Sequence, residues 1–102
     1  MKKFIIPTYI EYNACQLTIG NLDDFKRFIL RNAYDIKITY KEIEDKDIPV
    51  EINFKWNPCG NDYPPTIYIQ LNQYFLYEKD APDNYLILNS EDISRDWYIH
   101  ES

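Results

Sequence analysis

Cys15, Cys59 and His100 are the side chains from which a Cys–His nucleophilic pair would have to be assembled, and His100 is the sole imidazole in the sequence. Such a pair needs its base held rigidly within hydrogen-bond reach of the thiol. His100 stands close to the last residue, Ser102, in a region where chains usually fray. The same three residues fall short of a zinc site. There is no Cys-x-x-Cys and no His-x-x-x-His, and tetrahedral zinc asks for four ligands. Pro58-Cys59-Gly60 matches half of a zinc knuckle and no more. Glu42, Glu44, Asp45 and Asp47 are oxygen donors of the kind magnesium or calcium takes, but runs this acidic are ordinarily just solvated. Gly20 and Gly60 are the only glycines, so there is no glycine-rich phosphate loop. The expectation is a protein that is not an enzyme and carries no cofactor or metal.

What the chain has instead is aromatic surface. Ten Tyr, two Trp and five Phe in 102 residues exceed what a core of this size can hide. Some Tyr rings or hydroxyls must face solvent, a ligand or a partner. The formal net charge of −6 argues against direct contact with nucleic-acid phosphates. It permits an acidic face offered to a basic groove of another protein, and it equally serves solubility.

These side chains must be positioned by the elements around them. The length fits one domain, residues 1–102. Residues 4–12 are β-rich, and residues 16–19 continue or end that strand. Asn21 is an N-cap candidate, with Asp23 and Asp24 where a helix dipole favours acids. Leu22, Phe25, Phe28 and Ile29 share one face of a helix over about residues 22–32. Ile36, Ile38 and Tyr40 alternate with Lys37, Thr39 and Lys41, and Val50, Ile52, Phe54 and Trp56 alternate with polar residues, which predicts two strands of a hairpin. The acidic run 42–47 reads as a turn or loop between them. Residues 57–65, with Pro64 and Pro65, read as a long binding loop or a plain connection. Strands follow around Ile67, Ile69 and Leu71, then over 72–79 and 85–88, and Ser90 can cap a final helical turn reaching Trp97. The pattern is α+β: an antiparallel β-sheet with one α-helix from the N-terminal half packed on a face and a short C-terminal helical turn. Nothing suggests a signal peptide or a membrane span, so the cytoplasm is expected, with both thiols free and packed in buried positions.

Ile10-Glu11-Tyr12-Asn13-Ala14-Cys15-Gln16-Leu17-Thr18, then Asn21 and Phe25-Lys26-Arg27-Phe28-Ile29, resembles the opening of small bacteriophage accessory proteins. In those, a strand ending in a Gln-aliphatic-Thr step leads through Asn into a helix with a Phe–Ile face. Pro82-Asp83-Asn84-Tyr85-Leu86-Ile87 is similar to their closing turn and strand, with Asp83 where the turn Gly stands. Ser90-Glu91-Asp92-Ile93-Ser94-Arg95-Asp96-Trp97-Tyr98-Ile99 also resembles the ending of phage anti-defence proteins, Thoeris anti-defence and anti-CRISPR proteins among them. The resemblance implies a phage-type inhibitor, acting in the host cytoplasm on a host defence protein, itself a nucleic-acid-binding protein or complex.

On that reading the partner-binding candidates are Glu42, Glu44, Asp45 and Asp47, mimicking nucleic-acid charge, with Tyr63 and Tyr68 as anchors. One alternative is a sponge for a signalling nucleotide, with aromatic stacking and Lys37, Lys41 or Lys55 on phosphate. A second is an immunity protein against a toxin. A Tyr-rich sheet edge also suits a homodimer.

Overall fold

Ile52, Phe54 and Trp56 alternate with Asn53 and Lys55, and such a period of two turns every second side chain to one face of a strand. All three apolar residues are buried. The computed structural model describes residues 10–92. In them the elements run β1 (Tyr12–Gln16), α1 (Leu22–Ile29), β2 (Ala33–Ile43), β3 (Lys46–Trp56), β4 (Thr66–Gln70), β5 (Tyr74–Glu78) and β6 (Tyr85–Leu88). Every strand pairing is antiparallel.

The strands divide into two three-stranded sheets, in the orders β1-β5-β6 and β2-β3-β4. We call them sheet A and sheet B. This corrects the expectation of one sheet with a helix packed across it. Strand accounts for 49% of the described residues and helix for 13%, so the molecule is mostly β. The physical reason is coverage. Helix α1 has eight residues, and its buried side chains are Phe25 and Ile29, too few to cover a sheet. The inner face of sheet B is met by sheet A instead. The Phe75 ring of β5 lies 4.9 Å from Trp56 and 5.4 Å from Phe54, both edge-on, and Tyr77 lies 5.1 Å from Trp56. Leu17, Phe25, Ile29, Ile67 and Ile69 complete one continuous core drawn from both sheets and the helix.

The chain crosses from sheet B to sheet A through a tight turn at residues 70–73. Gln73 N–H donates to Gln70 C=O at 3.0 Å, and Asn72 at its third position has φ +74°, a conformation Asn tolerates. Leu17 clasps that turn, donating to Gln73 C=O and accepting from Asn72 N–H. Strand β1 therefore covers residues 12–16, later than the β-rich stretch 4–12 suggested; residues 1–9 lie outside the described part. Ser90 to Asp92 open a helical turn, and the expected continuation over 93–97 also lies outside it.

Asn21 precedes α1 as expected, but its side chain makes no capping bond. Its Oδ1 accepts from Thr18 N–H at 2.8 Å and its Nδ2 donates to Gln16 C=O at 2.6 Å. The amide thus bolts the end of β1 to the start of the helix. Asn21→Ala removes both bonds and is expected to lower unfolding free energy by about 1–2 kcal/mol. A urea titration followed by circular dichroism would check this, and an unchanged midpoint would contradict it.

Sheet B holds the feature that matters most for function. Strands β2 and β3 have 11 residues each, but β4 pairs only with Glu51 to Lys55 of β3. Beyond Val50, whose C=O accepts from Leu71 N–H at 2.9 Å, no third described strand pairs with them, and they pair Tyr40 with Pro49, Lys41 with Ile48, Glu42 with Asp47 and Ile43 with Lys46. The acidic run 42–47 therefore holds the expected turn, but a shorter one than its composition suggested. Only Glu44 and Asp45 form the turn, and the residues on either side are strand. An extra residue at Val50 on β3 and another around Asp35 on β2, where φ is +54°, bulge the hairpin.

Candidate functional site

Two places on sheet B gather chemistry: the projecting arm of the β2–β3 hairpin, and the outer face of the three-stranded part. The arm carries Glu42, Glu44, Asp45 and Asp47, all exposed, with Lys41 and Lys46 as the only cations between Tyr40 and Pro49. Among the described residues none of the four carboxylates has an ion-pair or hydrogen-bond partner.

The arm is built against two local preferences. Glu42 and Asp47 are direct cross-strand partners, and like charges opposite each other destabilise a sheet. The two turn residues, Glu44 at φ +52° and Asp45 at φ +64°, both occupy the left-handed region. Two-residue hairpin turns of this kind favour Asn-Gly or Asp-Gly, because a Cβ is strained there. A bulky acid at the first position gives up stability for a charge at the tip.

The arm brings the four acidic candidates together. It does not bring them to the tyrosines. Tyr63 lies in the 57–65 loop, 93% exposed, at the far end of β3. At about 3.3 Å per residue, the length of β3 separates that loop from the tip by roughly 33 Å. Asn57 braces the loop, its Oδ1 accepting from Asn61 N–H at 2.6 Å and its Nδ2 donating to Asn61 C=O at 3.1 Å, and Gly60 supplies the φ of +72° that the bend requires. Tyr68 sits on β4 opposite Asn53, on the outer face of sheet B.

That outer face is a polar grid. The registers align Tyr34 with Lys55 and Thr66, then Lys37 with Asn53 and Tyr68, then Thr39 with Glu51 and Gln70. Cross-strand partners share a face, and the apolar partners Ile36, Ile38, Ile52, Phe54, Ile67 and Ile69 point the other way into the core. Tyr34 and Tyr68 are 46% and 55% exposed, and neither ring meets another aromatic among the described residues. Tyr77 and Tyr85, by contrast, pack against the core. Tyr34 escaped sequence reasoning because the bulge at Asp35 breaks the alternation that would have placed it. Glu51, the one carboxylate of the grid, accepts a hydrogen bond from Gln70 Nε2.

The remaining candidates separate cleanly. Cys15 is half-buried against the core, and its thiol lies 3.8 Å from Gln16 C=O. Burial pushes the Cys15 thiol up from its ordinary value, and the Asp24 charge adds to the rise. A raised thiol is a poor nucleophile at neutral pH. The folded state favours the neutral thiol, so this contribution to stability is present below the ordinary thiol range and is lost as pH rises through the folded value. Cys59 is exposed, contrary to the expected buried packing role for both thiols, and no disulfide joins the two. In native protein at neutral pH, iodoacetamide is expected to label Cys59 at least ten-fold faster than Cys15. Peptide mass mapping over time would read this, and equal rates would contradict it. His100 lies outside the described residues.

An open concavity of about 360 Å³ lies at the start of α1, lined by Ile19 to Asp24 and Arg27. Its cation is occupied, since Arg27 contacts Asp24 at 2.6 Å, and Asp23 stands beside them. Carboxylates there repel the phosphate a nucleotide sponge would have to hold. Among the described residues no group of three or more His, Cys, Asp or Glu side chains is placed to hold a metal ion, and no helix is long and apolar enough to cross a membrane. Comparison with protein-family models, with curated proteins and with solved structures returns no match.

Proposed function

We propose that this chain is a non-enzymatic, phage-type anti-defence inhibitor that inserts its acidic hairpin arm into the basic, nucleic-acid-binding groove of a host defence protein. The observation that carries this reading is the arm itself. It runs past the end of β4, ends in four carboxylates that have no partner among the described residues, and keeps that form despite a like-charged pair and a strained turn. Features kept at a cost to stability point to function. A projecting strand pair tipped with negative charge suits a groove that ordinarily holds phosphates. The resemblance of the opening to small phage accessory proteins, and of residues 90–99 to the ending of phage anti-defence proteins, supplies the class of partner.

The test is capture of the target. Tagged protein purified from a defence-bearing bacterial lysate, and examined by native mass spectrometry, is expected to carry a basic nucleic-acid-binding protein. The variant Glu42→Gln/Glu44→Gln/Asp45→Asn/Asp47→Asn is expected to bind that protein at least ten-fold more weakly, and wild-type binding is expected to weaken as salt rises. Binding that survives the four substitutions, or ignores salt, would remove the arm from the mechanism.

A further inference from the structure

We propose that the outer face of sheet B is a second binding surface, and that it takes single-stranded nucleic acid. The net charge of −6 opposes this, but much of the hairpin's negative charge lies out on the arm. Four of the hairpin's carboxylates, Glu42, Glu44, Asp45 and Asp47, gather at the arm, while the three-stranded part holds Lys37 and Lys55 beside two acids, Glu51, which accepts from Gln70, and Asp35 at the bulge between Tyr34 and Lys37. Lys41 follows at the next outward position of β2. At physiological ionic strength fields fade over about 8 Å, so the carboxylates at the tip of the arm act only weakly on a strand lying on this face.

The arrangement of the grid fits a nucleic acid strand in particular. Lys55 is the direct cross-strand partner of Tyr34 and a diagonal neighbour of both Tyr68 and Lys37. Diagonal neighbours stand about 7–8 Å apart. A cation flanked by two open aromatic faces can hold a phosphate while bases stack on either side. Neither Lys37 nor Lys55 has an ion-pair partner among the described residues, so both ammonium groups are available. Asn53, in the middle row, offers an amide able to donate to and accept from a base edge. The face is a sheet surface and not a pocket, which suits a polymer laid across it better than a single nucleotide. An acidic peptide would satisfy the lysines but would leave the two rings without a role.

The probe is a short 5′-fluorescein-labelled oligothymidylate, read by fluorescence anisotropy against the intact protein at about 50 mM salt, where phosphate contacts are strongest. Binding is expected, with the logarithm of the association constant falling by roughly 0.7 per phosphate contact for each unit rise in the logarithm of salt concentration. Tyr34→Ala and Tyr68→Ala are each expected to weaken it about ten-fold, while Tyr68→Phe, which keeps the ring, retains it. Lys37→Gln/Lys55→Gln should flatten the salt dependence by about 1.4, the share of two contacts. Tyr34, Lys37 and Tyr68 are exposed and Lys55 is half-buried on the outer face, so each variant should keep a thermal midpoint close to wild type, which separates lost binding from lost folding. No anisotropy change at protein concentrations up to about 100 μM, the weak end of non-specific nucleic-acid binding, would overturn the proposal. So would affinity indifferent to Tyr34 and Tyr68, or displacement of the oligonucleotide by an oligoglutamate peptide at equal charge. The quadruple arm variant should bind the probe as wild type does, so this proposal and the arm mechanism fail separately.

Discussion

Phe75→Ala is expected to lower the unfolding free energy by about 3–5 kcal/mol, the range for emptying a buried aromatic site. Phe75 is fully buried on β5. It contacts rings from three other elements: Phe28 of α1 at 6.5 Å, Phe54 and Trp56 of β3 at 5.4 and 4.9 Å, and Tyr85 of β6 at 6.1 Å. It is therefore the point where sheet A, sheet B and the helix meet. Its loss leaves a cavity that backbone hydrogen-bonded on both sides cannot close. Small domains are stable by about 5–15 kcal/mol, so the variant should be close to unfolding at room temperature. Urea titration followed by near-ultraviolet circular dichroism would show the lowered midpoint. Tyr63→Ala, at a loop position 93% exposed, should stay within about 0.5 kcal/mol of wild type. If Phe75→Ala behaved like Tyr63→Ala, the two-sheet packing would be wrong.

The second large effect has the opposite sign. Glu44→Asn/Asp45→Gly is expected to raise stability by about 1–2 kcal/mol, because it installs the pair this turn geometry prefers at two positions with positive φ. The same change removes two of the four carboxylates from the tip. A more stable protein that binds its captured target less well would show that the arm gives up stability for recognition. The single change Glu44→Gln separates the two contributions, removing one charge while keeping the Cβ at a position with positive φ. Thermal midpoints and target affinity measured on the same preparations would read both. A destabilised double variant would contradict the turn assignment, and a stabilised one with undiminished affinity would remove the tip charges from the interface.

Much of the local structure was written in alternation and helical spacing. Leu22, Phe25, Phe28 and Ile29 marked α1, Ile52, Phe54 and Trp56 marked the inner face of β3, and Ile67 and Ile69 marked that of β4. The assembly was not legible, because it depends on partners far apart in the chain. Nothing local to Tyr12 or Gln16 announces that β1 will pair with β5 and not with β2. The bulges hid more. Alternation from Ile36 and Ile38 would place Tyr40 inside, yet it is 51% exposed while its partner Pro49 is buried, because β4 ends one row before it. The acidic run read as a loop because composition cannot show that two residues with positive φ suffice to turn it. The four acids were found as a group since they are neighbours in sequence. Their distance from Tyr63 and Tyr68, and the company Tyr68 keeps with Lys37 and Lys55, are matters of register that no single segment encodes.

The pairing of β1 with β5 has a bearing on the order in which the molecule is made. Sheet B lies between Ala33 and Gln70 and joins strands that are neighbours in the chain, so it can form from short closures as soon as those residues exist. Tyr12 must wait for Glu78, and Gln16 for Tyr74. During synthesis the first described strand waits longest for its partner, and the part of the inner face of sheet B that Phe75 covers stays open until β5 arrives. The interval between those events is when Ile52, Phe54 and Trp56 are most open to wrong contacts, and it ends only when the two halves of the chain close on each other.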